Sequence, residues 1–235
     1  MSIRGVLFDK DGTLIDFDKT WAPSFAALIE EVTGKDEALM LRLSEACEYD
    51  LANRAFLPGS RAVAGTNGDF VDAWVEILGL TDSKAFLREM DESLGRLSLD
   101  HVAPFDDLVH VLDRLAGQGI ILGIATNDAE VSARAHLQEL GIAALFPHVY
   151  GYDSGRGAKP GPGMIHAFCE AARVAPGEVV MVGDSLHDMH AGRAAGTHTL
   201  ALTTGTIGRD ILEPHADHVA DSLTDGCLWI ESLRT

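Results

Sequence analysis

The sequence predicts an α/β fold: a doubly wound parallel sheet, Rossmann-like, with an all-helical subdomain inserted after its first strand. Three observations predict it. Short apolar runs end in small or polar residues and alternate with helical periodicity. Those runs are apolar throughout, as strands buried on both faces are. One long stretch, about 17–99, shows helical periodicity and no strand, so the insertion breaks the alternation.

The first run, "IRGVLF" (3–8), opens into "DKDGT". "GIILGIAT" (119–126) precedes the helical pattern "NDAEVSARAHLQELG", and "EVVMVG" (178–183) precedes "DSLHDMHAGRAAG". "HTLALTT" (198–204) and "ADHVA" (216–220) complete the set. Within the insertion, "APSFAALIEEVTG", "DEALMLRLSEACEYDLANRAF", "GDFVDAWVEILG" and "DSKAFLREMDESLGRL" are amphipathic, and each is expected to be a helix. Gly34, Gly79 and "LPGS" separate them. "DHVAPF" (100–105) is the expected return to the sheet. The division that follows is an α/β core of 1–16 and 100–235 and a helical insertion of 17–99.

With 36 acidic and 18 basic residues among 235, the chain carries a formal charge of −18. That balance argues against nucleic acid and anionic membrane as partners. It also demands local cations wherever an anion binds. Three scattered cysteines fit reduced thiols. No apolar run has the ~20 residues of a membrane helix, and no secretory leader is evident. A cytoplasmic location, as monomer or homodimer, is expected.

In an open parallel sheet, ligands sit beyond the carboxyl ends of the strands. Asp9, Asp11 and Thr13 follow the first strand, and Thr126, Asn127 and Asp128 the second. Gly183, Asp184, Ser185 and Asp188 follow the third, and Lys159 stands in the loop "GRGAKPGPG". Carboxylates at strand ends suit magnesium, which takes a few hard oxygens and keeps water or phosphate as further ligands. A carboxylate beside that cation stays ionised and can attack phosphorus. A second carboxyl two residues on can serve as acid and then base. Thr126, Asn127 and Lys159 are the candidate phosphate-binding residues, Lys159 as a point charge. His187 and His190, three apart on a helical pattern, could suit a transition metal, but the adjacent carboxylates favour a hard cation.

"DKDGT", "ATN", "AKPGPG" and "GDSLHD", in that order, resemble the four motifs of the haloacid dehalogenase superfamily. The resemblance covers roughly 1–16 and 100–220 and is nearest to phosphoglycolate phosphatase-like members. It implies Asp9 as nucleophile and Asp11 as general acid/base. It implies magnesium on Asp9, Asp184 and the Asp11 carbonyl, with Asp188 nearby, and makes the helical insertion a mobile cap. Asp11 implies an oxygen leaving group, since family dehalogenases lack an acid there. Lys19, Lys35 and Lys84 are the lysines of the cap, and none lies in a phosphonatase-like motif. Arg54, Arg61 and Asn67 are candidates to contact the far end of a substrate. The expected activity is magnesium-dependent hydrolysis of a small phosphate monoester, phosphoglycolate-like or a sugar phosphate. The alternatives are a sugar-phosphate mutase of the same superfamily and a silent phosphate-binding module.

Overall fold

The computed structural model describes residues 2–57 and 59–234. Six strands form one parallel sheet in the order β5-β4-β1-β6-β7-β8. They are β1 (Gly5–Phe8), β4 (Ile121–Ala125), β5 (His148–Tyr150), β6 (Val179–Gly183), β7 (His198–Leu202) and β8 (His218–Ala220). β1 is central, paired with β4 and β6 in matched register: Phe8 lies opposite Ile124 on one side and Val182 on the other.

Alternation along the strands divides the core into two layers. Val6, Phe8, Leu122, Ile124, Val180 and Val182 enter one cluster. There they meet α6 (Leu108–Gly117), α7 (Glu130–Glu139) and α11 (Leu223–Ser232) through Leu112, Ala133 and Cys227. Leu7, Val179 and Met181 face the other way, onto α8 (Gly163–Ala172) and α9 (Leu186–Ala195). Gly5 and Gly123 make room there for the Phe168 ring: a Cβ at either would lie 2.9 or 2.7 Å from it. Phe168 is wholly buried, so truncation to alanine would cost about 3–5 kcal/mol.

The insertion has its own apolar core, built on Trp21, Phe25, Leu43, Phe70, Trp74 and Met90. Its helices are α1 (Phe17–Thr33), α2 (Glu37–Ala46), α3 (Arg61–Ala64), α4 (Val71–Leu78) and α5 (Ser83–Leu97). Asp16, Asp36 and Asp82 accept N-terminal amides of α1, α2 and α5, and Gly34 and Gly79 end α1 and α4 in left-handed conformation. The two crossings to the core lie side by side: Asp16 N donates to Ala103 O (2.8 Å), and Phe105 N to Leu14 O (3.2 Å). α5 also packs on α7, where Gly95 comes close to Ser132.

Two expectations need correction. The cap is mainly but not wholly helical, because β2 (Tyr49–Asp50) and β3 (Ala55–Phe56) form an antiparallel hairpin. The helix expected across 36–56 stops at Ala46, after which Glu48 and Arg54 take left-handed φ values of 55° and 49°. The hairpin brings the Tyr49 and Phe56 rings to 5.1 Å and both against Phe25, and that aromatic packing overrides local helix propensity. The short edge strand β5 was not expected. Pro104 and the Asp11–Ile15 turn are tied by isolated bridges and not by a further strand.

Candidate active site

The sheet places its polar groups at one end. Asp9 N donates to Val182 O (2.8 Å), which carries the β1–β6 ladder one residue past the strand and sets the Asp9 side chain over the strand ends. Lys159 Nζ lies 2.8 Å from Asp9 Oδ1 and 2.6 Å from Asp188 Oδ1, and all three side chains are almost fully buried. Asp188 sits in the first turn of α9. Its second oxygen accepts Ser185 N (3.0 Å) and Ser185 Oγ (2.6 Å), so a capping box fixes the counter-ion of Lys159. Asn127 fixes the lysine from the other side. Its Oδ1 accepts Lys159 N (2.9 Å) and its Nδ2 donates to Lys159 O (3.1 Å). Thr126 is buried, and its Oγ1 accepts Asp128 N (3.0 Å).

Asp184 completes the cluster. Carboxylate oxygens of Asp9, Asp184 and Asp188 lie within 4.8 Å of one another. Gly12 and Gly205 leave space beside Asp184, for a Cβ at either would strike its carboxylate. Thr204 Oγ1 donates to Gly12 O (2.6 Å) and ties the loop after β7 to the loop after β1. Burial, outweighing the pull of Lys159, pushes Asp9 up to about 7, with Asp188 and Asp11 adding to the rise. Burial, and then the like charges of Asp9 and Asp188, hold Asp184 well above the usual carboxylate range. Lys159 is raised, because Asp188 and Asp9 together outweigh its desolvation. Three carboxylates thus face one ammonium in a tight hard-oxygen cradle. That donor set and its excess negative charge fit a divalent hard cation.

The second carboxylate of the opening pair points elsewhere. Asp11 Oδ1 accepts Lys10 Nζ (2.7 Å) and the indole N–H of Trp21 (2.5 Å). Lys10 is 1% exposed and also reaches Asp128 Oδ2 (3.1 Å) and His136 Nδ1 (3.2 Å). An ammonium beside Nδ1 makes that nitrogen the acceptor, so Nε2 carries the proton and donates to Ser98 Oγ (2.6 Å). Burial pushes Asp11 upward, but Lys10 and the indole outweigh it, and its carboxyl stays below the usual range. Burial raises Asp128 to about 6 against the pull of Lys10.

One cavity joins these groups, with an empty volume of about 820 Å³ counting its open mouth. Asp9, Asp11, Thr126, Asn127, Lys159 and Asp184 line it. Of the cap candidates, Asn67 lines it and donates to Asp91 Oδ1 (2.7 Å). Arg54 and Arg61 do not. Arg54 is exposed at the hairpin turn, and the Arg61 guanidinium donates to Ala46 O and Asp69 O within the cap. His187 lines the cavity, while His190 Nε2 faces His215 Nδ1 at 3.2 Å, away from any shared ligand position. Sequence reasoning missed Lys10, Trp21 and the Gly205–Ile207 segment. The segment follows a strand end and was open to the same rule that found Thr126. Trp21 is brought to Asp11 only by the cap.

Fold and site together define a capped, doubly wound α/β protein with a hard-oxygen polar centre at its strand ends. The model of the haloacid dehalogenase-like hydrolases matches residues 3–196, and the chain belongs to that family. Within it the chain is phosphoglycolate phosphatase-like and is a phosphatase. It is 28% identical over 239 residues to the N-acetylmuramic acid 6-phosphate phosphatase of Pseudomonas putida, covering 97% of this chain and 100% of that one. It is 28% identical over 240 residues to the phosphoglycolate phosphatase of Escherichia coli O157:H7, covering 95% and 90%. A phosphatase of the family from Thermococcus onnurineus superposes with a TM-score of 0.68 at 25% identity, covering 99% of this chain and all of that one. No helix among the described residues is long and apolar enough to cross a membrane.

Proposed function

We propose that this chain hydrolyses a small phosphate monoester through a phosphoryl group carried on Asp9, with magnesium held by Asp9, Asp184, Asp188 and the Asp11 carbonyl. The observation that carries the reading is the buried Lys159 bridging Asp9 and Asp188 beside Asp184. Magnesium, when bound, supplies positive charge that offsets the crowded carboxylates and polarises phosphoryl oxygens.

The residues divide the work. An Asp9 oxygen bonds to phosphorus while the ester O–P bond breaks, and Asp11 passes a proton to the departing alkoxide. In the second half Asp11 takes a proton from water, the new hydroxide attacks phosphorus, and the bond to Asp9 breaks. Lys159 and Thr126 hold the phosphoryl oxygens, and Asn127 holds Lys159 by its backbone. The lowered Asp11 carboxyl in this arrangement is the base form, suited to the second half. Cap motion that frees Asp11 from Trp21 would let it take up the proton the first half needs.

The test is phosphate release from a panel of small esters with magnesium, alongside Asp9→Asn. Turnover should vanish in the variant while its circular dichroism and melting stay close to the parent's. Substantial residual turnover would remove Asp9 from the role. Release of inorganic phosphate, and not an isomerised sugar phosphate, separates hydrolysis from the mutase alternative.

A further inference from the structure

The cap side of the cavity is apolar and lacks a cation. Phe17, Trp21 and Phe25 of α1 line it with Val63 of α3, and Ile207 closes it from the loop after β7. The polar groups among them are the Asn67 amide, the Thr206 hydroxyl and the His187 imidazole. Among the described residues lining the cavity, Lys159 is the single lysine or arginine, and it is already bonded to Asp9 and Asp188. The nearby cap cations are turned elsewhere. Arg61 serves two cap carbonyls, Lys19 is exposed and paired with Asp16, and Arg54 is at the hairpin turn. Asp11, Asp128 and Asp184 meanwhile present carboxylates to the same space.

A leaving group with its own carboxylate would be desolvated against that wall without a free counter-charge, since Lys10 is bonded to Asp11 and Asp128 and Lys159 to Asp9 and Asp188. An apolar ring would instead gain burial and ring-to-ring contact. We infer that the leaving group is an uncharged alcohol with a ring-sized apolar face, and not a hydroxy acid such as glycolate. This rests on the phosphatase reading of the site. It names a selectivity built by the cap wall and independent of the acids that act on phosphorus.

The experiment uses matched esters with magnesium: phenyl phosphate against 4-carboxyphenyl phosphate, and ethyl phosphate against carboxymethyl phosphate. The uncharged member of each pair should have a kcat/KM at least about tenfold higher, and phenyl should exceed ethyl. Val63→Arg places a cation on the apolar wall and should narrow or reverse the difference. Equal or reversed preference in the parent, or no response to Val63→Arg, overturns the assignment. A second arm measures binding of the same four esters to Asp9→Asn protein with magnesium by calorimetry, where the same order is expected. Should no ester be hydrolysed while the uncharged ones still bind more tightly, the phosphatase reading fails and the wall's selectivity stands. Tighter binding of the carboxylated esters, or no binding by either kind, overturns it.

Discussion

Trp21 donates its indole N–H to Asp11 Oδ1 at 2.5 Å, from the first cap helix to the second acid of the strand-end pair. The same indole ring lies 4.9 Å from Lys10 Nζ and 5.4 Å from the His136 ring. The acid is therefore held jointly by the core and the cap. A rotation of the cap that moves Trp21 changes the environment of Asp11 directly.

Trp21→Phe keeps the ring and removes the donor. A hydrogen bond to a charged group contributes about 1.5–3 kcal/mol, so kcat on an alkyl phosphate should fall by about one order of magnitude or more. An aryl phosphate with a good leaving group should lose at least as much, because hydrolysis of the phosphoryl group on Asp9 needs ionised Asp11 whichever alcohol has left. The acid limb of the pH profile should move up, since the ionised form of Asp11 loses a donor. A fall in rate with an unmoved profile would place the effect in cap packing.

Lys159→Met leaves Asp9 and Asp188 buried without their counter-charge. Removing one partner of a buried pair costs about 3–5 kcal/mol. Urea unfolding in EDTA should show a loss of that order, and magnesium should restore more stability to the variant than to the parent. Equal magnesium responses would mean that the cluster is not where the cation binds.

Gly205→Ala tests the cradle beside Asp184. The residue is not in the left-handed region, and the nearest atoms an added methyl meets are those of the Asp184 side chain. The magnesium concentration for half-maximal activity should rise about 10- to 100-fold, as when other groups that position metal ligands are altered. Gly177→Ala, with nothing within 4 Å of the added Cβ, is the control. An unchanged magnesium requirement would show that Asp184 yields freely.

His136 predicts a pH dependence of stability. Burial, and then Lys10, push its pKa down to about 3 from an ordinary 6.5. The folded state refuses a proton that the unfolded state accepts, so between these values the unfolded state binds more protons and stability falls as pH drops. His136→Gln removes that contribution. Between about pH 6.5 and about pH 3 the parent should lose stability faster than the variant, by at most about 1.4 kcal/mol per pH unit. Parallel curves from urea midpoints would show that His136 titrates alike in both states.

Much of the site was legible because strand-end acids and the loop lysine lie within a few residues of apolar runs that declare themselves. Asp9, Asp184 and Lys159 are placed by main-chain geometry that the sequence encodes locally. The hairpin at Tyr49–Phe56 was not legible, since Leu51, Ala52 and Arg54 carry ordinary helix propensity and the deciding contacts are with Phe25, far along the chain. β5 was too short to declare a period, with three residues between a turn and a loop. The Lys10 network escaped for a further reason: Trp21, Ser98 and the Asp128–His136 stretch come from three separate segments.

The sheet is flanked on both sides by three-residue strands, β5 and β8. Each outer margin therefore exposes few unpaired main-chain groups for a second molecule to zip onto. With a net charge of −18 repelling like copies, the protein can be crowded without seeding cross-strand polymers, although its central strands are almost wholly aliphatic.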